Sequence, residues 1–250
     1  MEMFLYLDND TFLHRLDPRT KMLVMLATFV VALMFYSLNT LLILSAVVLI
    51  YGLVGKTLSN LKRIRFILLM IFLFSVVLWS LTYGGEPKLL GPISLEGILY
   101  GIVIGIKFDI MIIAGMIFLS STKVEEISLG LVKIKVPYRG AFAFATAIRM
   151  VPMIVATSYT ISQAQRSRGL DLDSGNLVER AKKYIPLLIP TIISVIRGTN
   201  VFAMALESKG FGYSEDRTNY LQISIKKGDL LVIFMALVVI AISVYYRFII

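Results

Sequence analysis

The chain has 250 residues, of which 58% are hydrophobic and only 16% are charged, whereas a soluble domain carries about 25% charged residues. This composition indicates an integral membrane protein, and the net charge of +9 is explained by basic segments on the cytoplasmic side of a membrane rather than by nucleic-acid binding. The absence of cysteine excludes disulfides and thiolate sites, and a single histidine argues against a zinc or haem site, so we expect no metal and no cofactor.

Two short membrane spans are predicted near the N-terminus. Residues 22–54 form a stretch of 33 residues without a charge. A single helix of that length would measure about 50 Å, against a hydrocarbon core of about 30 Å. We therefore expect the polar run Ser37–Thr40 to divide the stretch into two helices.

Lys56 follows a glycine as in a phosphate-binding loop, but Ile50 stands where that motif requires glycine, so ATP binding by this chain is not predicted.

Three further spans are predicted at about 66–82, 97–121 and 230–246, with turn residues over 83–92. The loop at 56–65 is strongly basic and the loop at 83–92 is not, so the positive-inside rule places the N-terminus in the cytoplasm. The predicted fold class is an all-α polytopic membrane protein with about five transmembrane helices. Its predicted domains are a membrane domain at 1–121, a cytoplasmic module at 122–227 and a C-terminal span at 228–250.

The segment 122–227 holds 15 of the 25 basic residues and 8 of the 16 acidic ones, a net +7. Its two apolar stretches, 141–156 and 185–206, carry Arg149 and Arg197 near their centres. An arginine at mid-bilayer costs at least about 2.5 kcal/mol, so we favour long cytoplasmic helices packed partly on the membrane domain. A seven-span arrangement remains the alternative. An amphipathic helix is also predicted at Lys123–Lys133, and a short helix after the capping residues 173–176.

One phrase of the pattern A-x-x-S-[RK]-G occurs twice, at 164–169 and at 205–210. A cation in the last turn followed by glycine is typical of a helix C-terminus. The sequence therefore predicts two similar helix ends, each presenting one positive charge to an acidic partner. The alternative is that both are ordinary helix ends without a binding role.

Two ionisable residues, Lys107 and Asp109, fall inside the fourth predicted span. Such residues are functional candidates, although they are usually paired within the protein. We favour a structural role in which Asp109 pairs with Arg149 or Arg197. Two other functions remain open: a membrane enzyme that acts on lipid headgroups through Asp109, and a secondary carrier that uses Lys107 and Asp109.

Four stretches together resemble the transmembrane T component (EcfT/CbiQ-like) of energy-coupling factor (ECF) transporters, a class of ABC importers. The first is Leu16–Lys21, which includes Asp17, Pro18 and Arg19, and the second is Ala147–Pro152, which contains Arg149 and Pro152. The others are the two repeated phrases. The resemblance extends over about 200 residues.

The resemblance implies a non-catalytic scaffold of the plasma membrane whose two phrases end cytoplasmic coupling helices. The residues implied in docking are Ala164, Ser167, Arg168, Gly169, Ala205, Ser208, Lys209 and Gly210. Each helix end would bind one of two ABC ATPase subunits, in a homodimer or heterodimer that hydrolyses the ATP. The rest of the module would hold a small membrane subunit that captures a vitamin or a metal ion. This chain departs from the family pattern with Ser167 and Ser208 where alanine is usual, and with Lys209 where arginine is usual.

Overall fold

The structure is a computed structural model that describes residues 6–83, 88–90, 93–171, 174, 176–213 and 223–249. Within these residues the chain is almost entirely helical, and the predicted all-α class is confirmed. The helices are α1 Pro18–Met34, α2 Leu38–Val54, α3 Leu61–Thr82, α4 Leu95–Ser121, α5 Val124–Lys133, α6 Tyr138–Ser167, α7 Leu177–Lys183, α8 Ile185–Ser208 and α9 Lys227–Ile249. A single 3-10 turn, Leu58–Asn60, precedes α3.

The uncharged stretch near the N-terminus is broken, as predicted, into two helices of 17 residues. The break lies slightly before the predicted position, because α1 ends at Met34 and α2 already begins at Leu38. Ser37 has an extended backbone just before α2, and the Thr40 hydroxyl donates a hydrogen bond to its carbonyl. The polar residues that we expected to interrupt the helix therefore start the next one.

A short antiparallel hairpin, β1 Lys88–Leu90 with β2 Ile93–Ser94, lies between α3 and α4. Its first strand lies in the predicted turn region, of which residues 84–87 and 91–92 lie outside the described residues, and its second strand directly follows that region. The Ser94 hydroxyl accepts the Gly97 N–H at 3.0 Å and so caps the first turn of α4.

Helices α3 and α4 approach each other along glycines spaced four residues apart on α4. A β-carbon at Gly101 would lie 2.8 Å from the Val76 Cα and 3.1 Å from the Ser75 carbonyl. The Ser75 hydroxyl donates to the Gly101 carbonyl at 3.0 Å across this contact. Glycines at such spacing allow helix backbones in a membrane to pack closely.

The chain divides into two compact units, residues 1–137 with 223–250, and residues 138–222. In the first unit, α4 packs against α1, α2 and α3, while α5 and α9 pack against α1. The buried apolar core lies among these helices and includes Leu41, Val103, Ile110 and Ile117. The amphipathic helix predicted at 123–133 is observed as α5.

The second unit contains α6, α7 and α8, and it extends beyond the end of α8. The Gln165 amide near the end of α6 donates to the Pro186 carbonyl at the start of α8. At the other end, the Phe142 ring near the start of α6 lies 4.4 Å from the Phe211 ring just beyond α8. Helices α6 and α8 therefore run antiparallel.

Five helical segments among the described residues have the length and apolar character needed to cross a membrane. They are Leu58–Thr82, Leu95–Ser121, Tyr138–Ser167, Val178–Ser208 and Lys227–Tyr245. The number agrees with the predicted polytopic fold, but the set includes α6 and α8, which we assigned to a cytoplasmic module. Helices α1 and α2 are shorter, at about 26 Å each. The five-span and seven-span arrangements are both compatible with these lengths.

Candidate functional site

The first repeated phrase forms the end of α6. Gly169 has a φ of +89°, and its N–H donates to the Arg166 carbonyl at 3.0 Å. The next N–H, of Leu170, donates to the Gln165 carbonyl at 3.0 Å. This pair of hydrogen bonds is a Schellman motif, which satisfies carbonyls that the helix would otherwise leave unpaired. Glycine adopts the left-handed conformation without the steric penalty that a β-carbon brings.

The second phrase repeats the same geometry at the end of α8. Gly210 has a φ of +74°, and its N–H donates to the Glu207 carbonyl at 2.9 Å. The Phe211 N–H donates to the Leu206 carbonyl, also at 2.9 Å. The prediction that both phrases end helices with a left-handed glycine is thereby confirmed.

The cations precede these glycines and are exposed. The Arg168 N–H donates to the Ala164 carbonyl, and the Lys209 N–H donates to the Ala205 carbonyl, each at 3.3 Å. Both side chains are exposed at the negative end of a helix dipole, and no hydrogen bond or ion pair of either is recorded among the described residues. Two matched positive charges are therefore presented to solvent.

The serines that replace the usual alanines do not disturb this geometry. The Ser167 hydroxyl donates to the Gln163 carbonyl at 3.1 Å, and the Ser208 hydroxyl donates to the Ala205 carbonyl at 2.9 Å. Each hydroxyl is thus satisfied within its own helix. The cation next to each serine remains exposed.

The two helix ends lie at opposite ends of the antiparallel pair. Arg168 lies at the end where α8 begins, and Lys209 lies at the end where α6 begins. The 24 residues of α8 span about 36 Å, which sets the separation of the two cations. An aromatic cluster of Tyr138, Phe142 and Phe211 supports the Lys209 end.

The prolines and central arginines of α6 and α8 lie inside continuous helices. Pro152 lies within α6 and Pro190 within α8, so each removes one helical hydrogen bond. The Arg149 and Arg197 side chains are both exposed. Because Asp109 belongs to the first unit and these arginines to the second, their pairing stays a prediction.

The opening phrase, Leu16–Lys21, forms a polar network at the start of α1. The Asp17 carboxylate caps the helix by accepting the Arg19 N–H at 2.9 Å, and it forms an ion pair with the Arg19 guanidinium at 3.0 Å. Burial by itself would raise the pKa of Asp17, but the hydrogen bonds and the charge of Arg19, with the charge of Lys21, hold it below its ordinary value. Pro18 occupies the first helical position, where its missing N–H has no cost.

Lys21 is the most deeply buried cation of this network, with 2% of its surface exposed. Its ammonium group donates to the His14 carbonyl at 3.1 Å and to the Ser121 carbonyl at 2.7 Å. The second bond joins the start of α1 to the end of α4. The phrase therefore fixes three segments of the first unit relative to one another.

Lys107 and Asp109 have different surroundings on α4. The Lys107 ammonium lies 3.4 Å from the centre of the Tyr36 ring and 3.4 Å from the Leu33 carbonyl. One oxygen of Asp109 is buried and has no hydrogen-bond partner among the described residues. The structure does not bring the two side chains into an ion pair within the described chain. In that part of the chain no three His, Asp or Glu side chains are grouped as a metal site would require.

Comparison with known proteins identifies the family. A family model described as "Cobalt transport protein" (CbiQ) matches residues 9–220. The chain belongs to the CbiQ family. Three relatives of this CbiQ-family chain are energy-coupling factor transporter transmembrane proteins named EcfT, and they match nearly its whole length. The protein of Leuconostoc gelidum is 33% identical over 90% of this chain and 88% of its own, and that of Streptococcus thermophilus is 31% identical over 86% of both.

The third relative, from Lactococcus lactis, is 29% identical over 93% of this chain and 92% of its own. The match to the family model, over residues 9–220, covers all four stretches on which the resemblance rested. The resemblance to the T component of ECF transporters is confirmed.

Sequence reasoning about this CbiQ-family chain missed Asp229 in the polar network. Asp229 is fully buried at the start of α9, and its two carboxylate oxygens accept the Asp17 N–H and the Lys226 N–H, each at 2.8 Å. An acidic residue in the first turn of a helix is a recognisable signal, and the predicted span began at residue 230. Its contact with Asp17 joins residues 212 apart, which no local pattern reveals.

Proposed function

We propose that this chain is the non-catalytic coupling subunit of an ECF-type importer, transmitting ATPase movement through Arg168 and Lys209 to a substrate-capture membrane subunit. The observation that carries the proposal is the pair of matching helix ends. Both have the same two Schellman hydrogen bonds and an exposed cation directly before the glycine. Because the pattern includes backbone conformation as well as residue type, two unrelated helix ends are a poorer explanation.

The separation of the two ends supports two docking surfaces rather than one. Cations about 36 Å apart at opposite ends of an antiparallel pair require two acidic sites on the partner. Two ATPase subunits, as a homodimer or a heterodimer, supply one site each. The proposed substrate of the assembled importer is a vitamin or a metal ion, and specificity would reside in the capture subunit.

The two docking sites are not chemically equal. Arginine grips a carboxylate through two parallel hydrogen bonds, whereas the lysine ammonium acts as a point charge. A charge-assisted hydrogen bond contributes about 1.5–3 kcal/mol, so loss of one docking contact weakens the complex about 10- to 100-fold. We expect Arg168→Ala to weaken ATPase binding more than Lys209→Ala, and Lys209→Arg to strengthen it.

The experiment reconstitutes the full complex in liposomes and measures ATPase affinity together with ATP-dependent uptake. Arg168→Ala and Lys209→Ala should each reduce both quantities. Because sites this far apart act independently, the loss of ATPase affinity in the double variant should equal the product of the two single losses. Lys182→Ala removes an exposed cation of the same unit that precedes no left-handed glycine, and this control variant should behave as wild type.

Full uptake in both alanine variants and in the double variant would overturn the proposal. The rival functions are tested by Asp109→Asn. A lipid-headgroup enzyme or a secondary carrier needs this carboxylate, whereas a coupling subunit retains ATP-dependent uptake without it. Transport by the purified chain in liposomes without ATP would favour the carrier.

Cytoplasmic exposure of the N-terminus and of the helix ends also belongs to this proposal. It rests on the basic loop that contains Lys56 and Lys62 and on the positive-inside rule. Single cysteines introduced at Ser167 and Ser208 should react with a membrane-impermeant maleimide only in inside-out vesicles. Labelling of intact cells would show that the helix ends face outwards and would contradict the proposed orientation.

A further inference from the structure

A groove with a volume of about 400 Å³ runs beside α1 in the first unit. Residues of α1, α2, α4 and α9 line it. Its lining is apolar except for Thr28, Tyr51 and the buried Lys21. A volume in this range is typical of a small-molecule site.

The height of the groove matches the hydrocarbon thickness of one bilayer leaflet. Its lining runs from Lys21 to Val31 on α1 and from Leu44 to Val54 on α2. Each of these stretches rises about 15 Å, half of a hydrocarbon core of about 30 Å. Val47 is 56% exposed and Val239 is 47% exposed, so the groove is open towards the hydrocarbon.

One end of the groove is positively charged. Lys21 lines it there, and its two hydrogen bonds to carbonyls leave one of the three ammonium hydrogens available. Phe12 and Leu13 close this end, because a β-carbon at Gly228 would lie 3.2 Å from the Phe12 ring and one at Gly55 would lie 2.5 Å from Leu13. The end of α2 and the start of α9 therefore each lie against one of these two adjacent residues.

The residues next to these two glycines are the exposed Lys56 and Lys227. Asp229 lies two residues after Lys227, but it is buried and its carboxylate already accepts two backbone N–H groups. Within the described residues neither Lys56 nor Lys227 forms an ion pair, so both cations are available to the headgroup layer. Each lysine close to a membrane surface adds to the attraction for anionic lipid.

We propose that the groove binds one acyl chain of an anionic phospholipid, with Lys56 and Lys227 holding its phosphate-containing headgroup and Lys21 facing the polar end of the chain. The groove height matches a chain that ends at the bilayer midplane. A transmembrane helix of a partner needs contact over about 30 Å, twice the height of this groove. The charge at one end alone also suits a lipid, which carries its charge at one end.

The test is native mass spectrometry of the full chain in detergent, titrated with dioleoylphosphatidylglycerol or dioleoylphosphatidylcholine. We expect one tightly held lipid, with the anionic lipid preferred about 10- to 30-fold through the two lysines. Ala236 lines the groove, so Ala236→Trp should fill it and abolish the tight binding. Ala241→Trp introduces the same side chain at an exposed position of α9 outside the groove and should leave binding unchanged.

A charge-matched pair of variants tests the headgroup. Lys56→Gln with Lys227→Gln should reduce phosphatidylglycerol binding to the level of phosphatidylcholine, whereas Lys62→Gln with Lys133→Gln removes equal charge elsewhere and should not. Equal binding of both lipids by the wild type would overturn the proposal. Unchanged lipid binding in Ala236→Trp would also overturn it. If that variant binds lipid normally but loses a partner subunit, the groove holds a protein helix and not a lipid.

Discussion

The Gly210 position offers a direct test of the helix-end geometry. Its φ of +74° lies in the left-handed region, and an added β-carbon would meet no atom within 4 Å. The cost of Gly210→Ala is therefore backbone strain alone, about 1–2 kcal/mol. Gly198 lies inside α8, the helix that Gly210 follows, with equal space around it and no positive φ. Gly198→Ala should stabilise α8 by about 0.8–1 kcal/mol, so the same added methyl group acts with opposite sign.

The assay is hydrogen exchange measured by mass spectrometry on the detergent-solubilised chain. In Gly210→Ala, strain of about 1–2 kcal/mol should open the helix end about 5- to 30-fold more often. The amides of positions 210 and 211 should exchange faster by that factor. Gly198→Ala should slow exchange or leave it unchanged. In the reconstituted transporter, ATPase coupling should fall with Gly210→Ala and persist with Gly198→Ala.

Exchange at the wild-type rate in Gly210→Ala would refute the reasoning, because the Schellman hydrogen bonds could not then depend on a left-handed residue. Faster exchange combined with full ATPase coupling would support the helix-end geometry but contradict its role in docking.

Three further predictions concern the first unit. Lys21→Met should lower the free energy of unfolding by about 3 kcal/mol, because it leaves two carbonyls unpaired, while Lys62→Met at the exposed start of α3 should change the urea midpoint little. Gly101→Ala should lower the melting temperature of the detergent-solubilised chain because its β-carbon would meet the backbone of α3, whereas Gly115→Ala on the same helix meets no atom within 4 Å and should not. Burial of the imidazole and the charge of Lys21 hold the pKa of His14 below its ordinary 6.5. The unfolded chain therefore binds a proton at higher pH than the folded one, and the free energy of unfolding falls as the pH drops below about 6.5. His14→Gln should flatten that dependence in thermal unfolding between about pH 5 and 7, and an equally steep profile would assign it to another group.

Much of the helical pattern was predictable because it rests on local rules. Helix α5 follows from apolar residues at helical spacing, and its observed limits differ from the prediction by one residue. The left-handed glycines at 169 and 210 follow from a cation and a glycine in sequence, since only the last turn of the same helix takes part. The start of α3 was predicted too late, because Arg63 and Arg65 continue the helix beyond its apolar part.

The relation between the two helix ends could not be predicted from the phrases themselves. The sequence determined that Arg168 and Lys209 each end a helix, because a Schellman motif needs only neighbouring residues. Their location at opposite ends of an antiparallel pair was decided by the contacts of Gln165 with Pro186 and of Phe142 with Phe211.

The same distinction holds in the first unit. The sequence determined an apolar, helical chain with a polar phrase before α1, because composition and periodicity are properties of short segments. Only the tertiary structure decided that Asp229 would accept the Asp17 N–H and that Lys21 would bond to the end of α4. Buried polar groups must find partners wherever the packed chain supplies them, and that supply is known only once distant helices have come together.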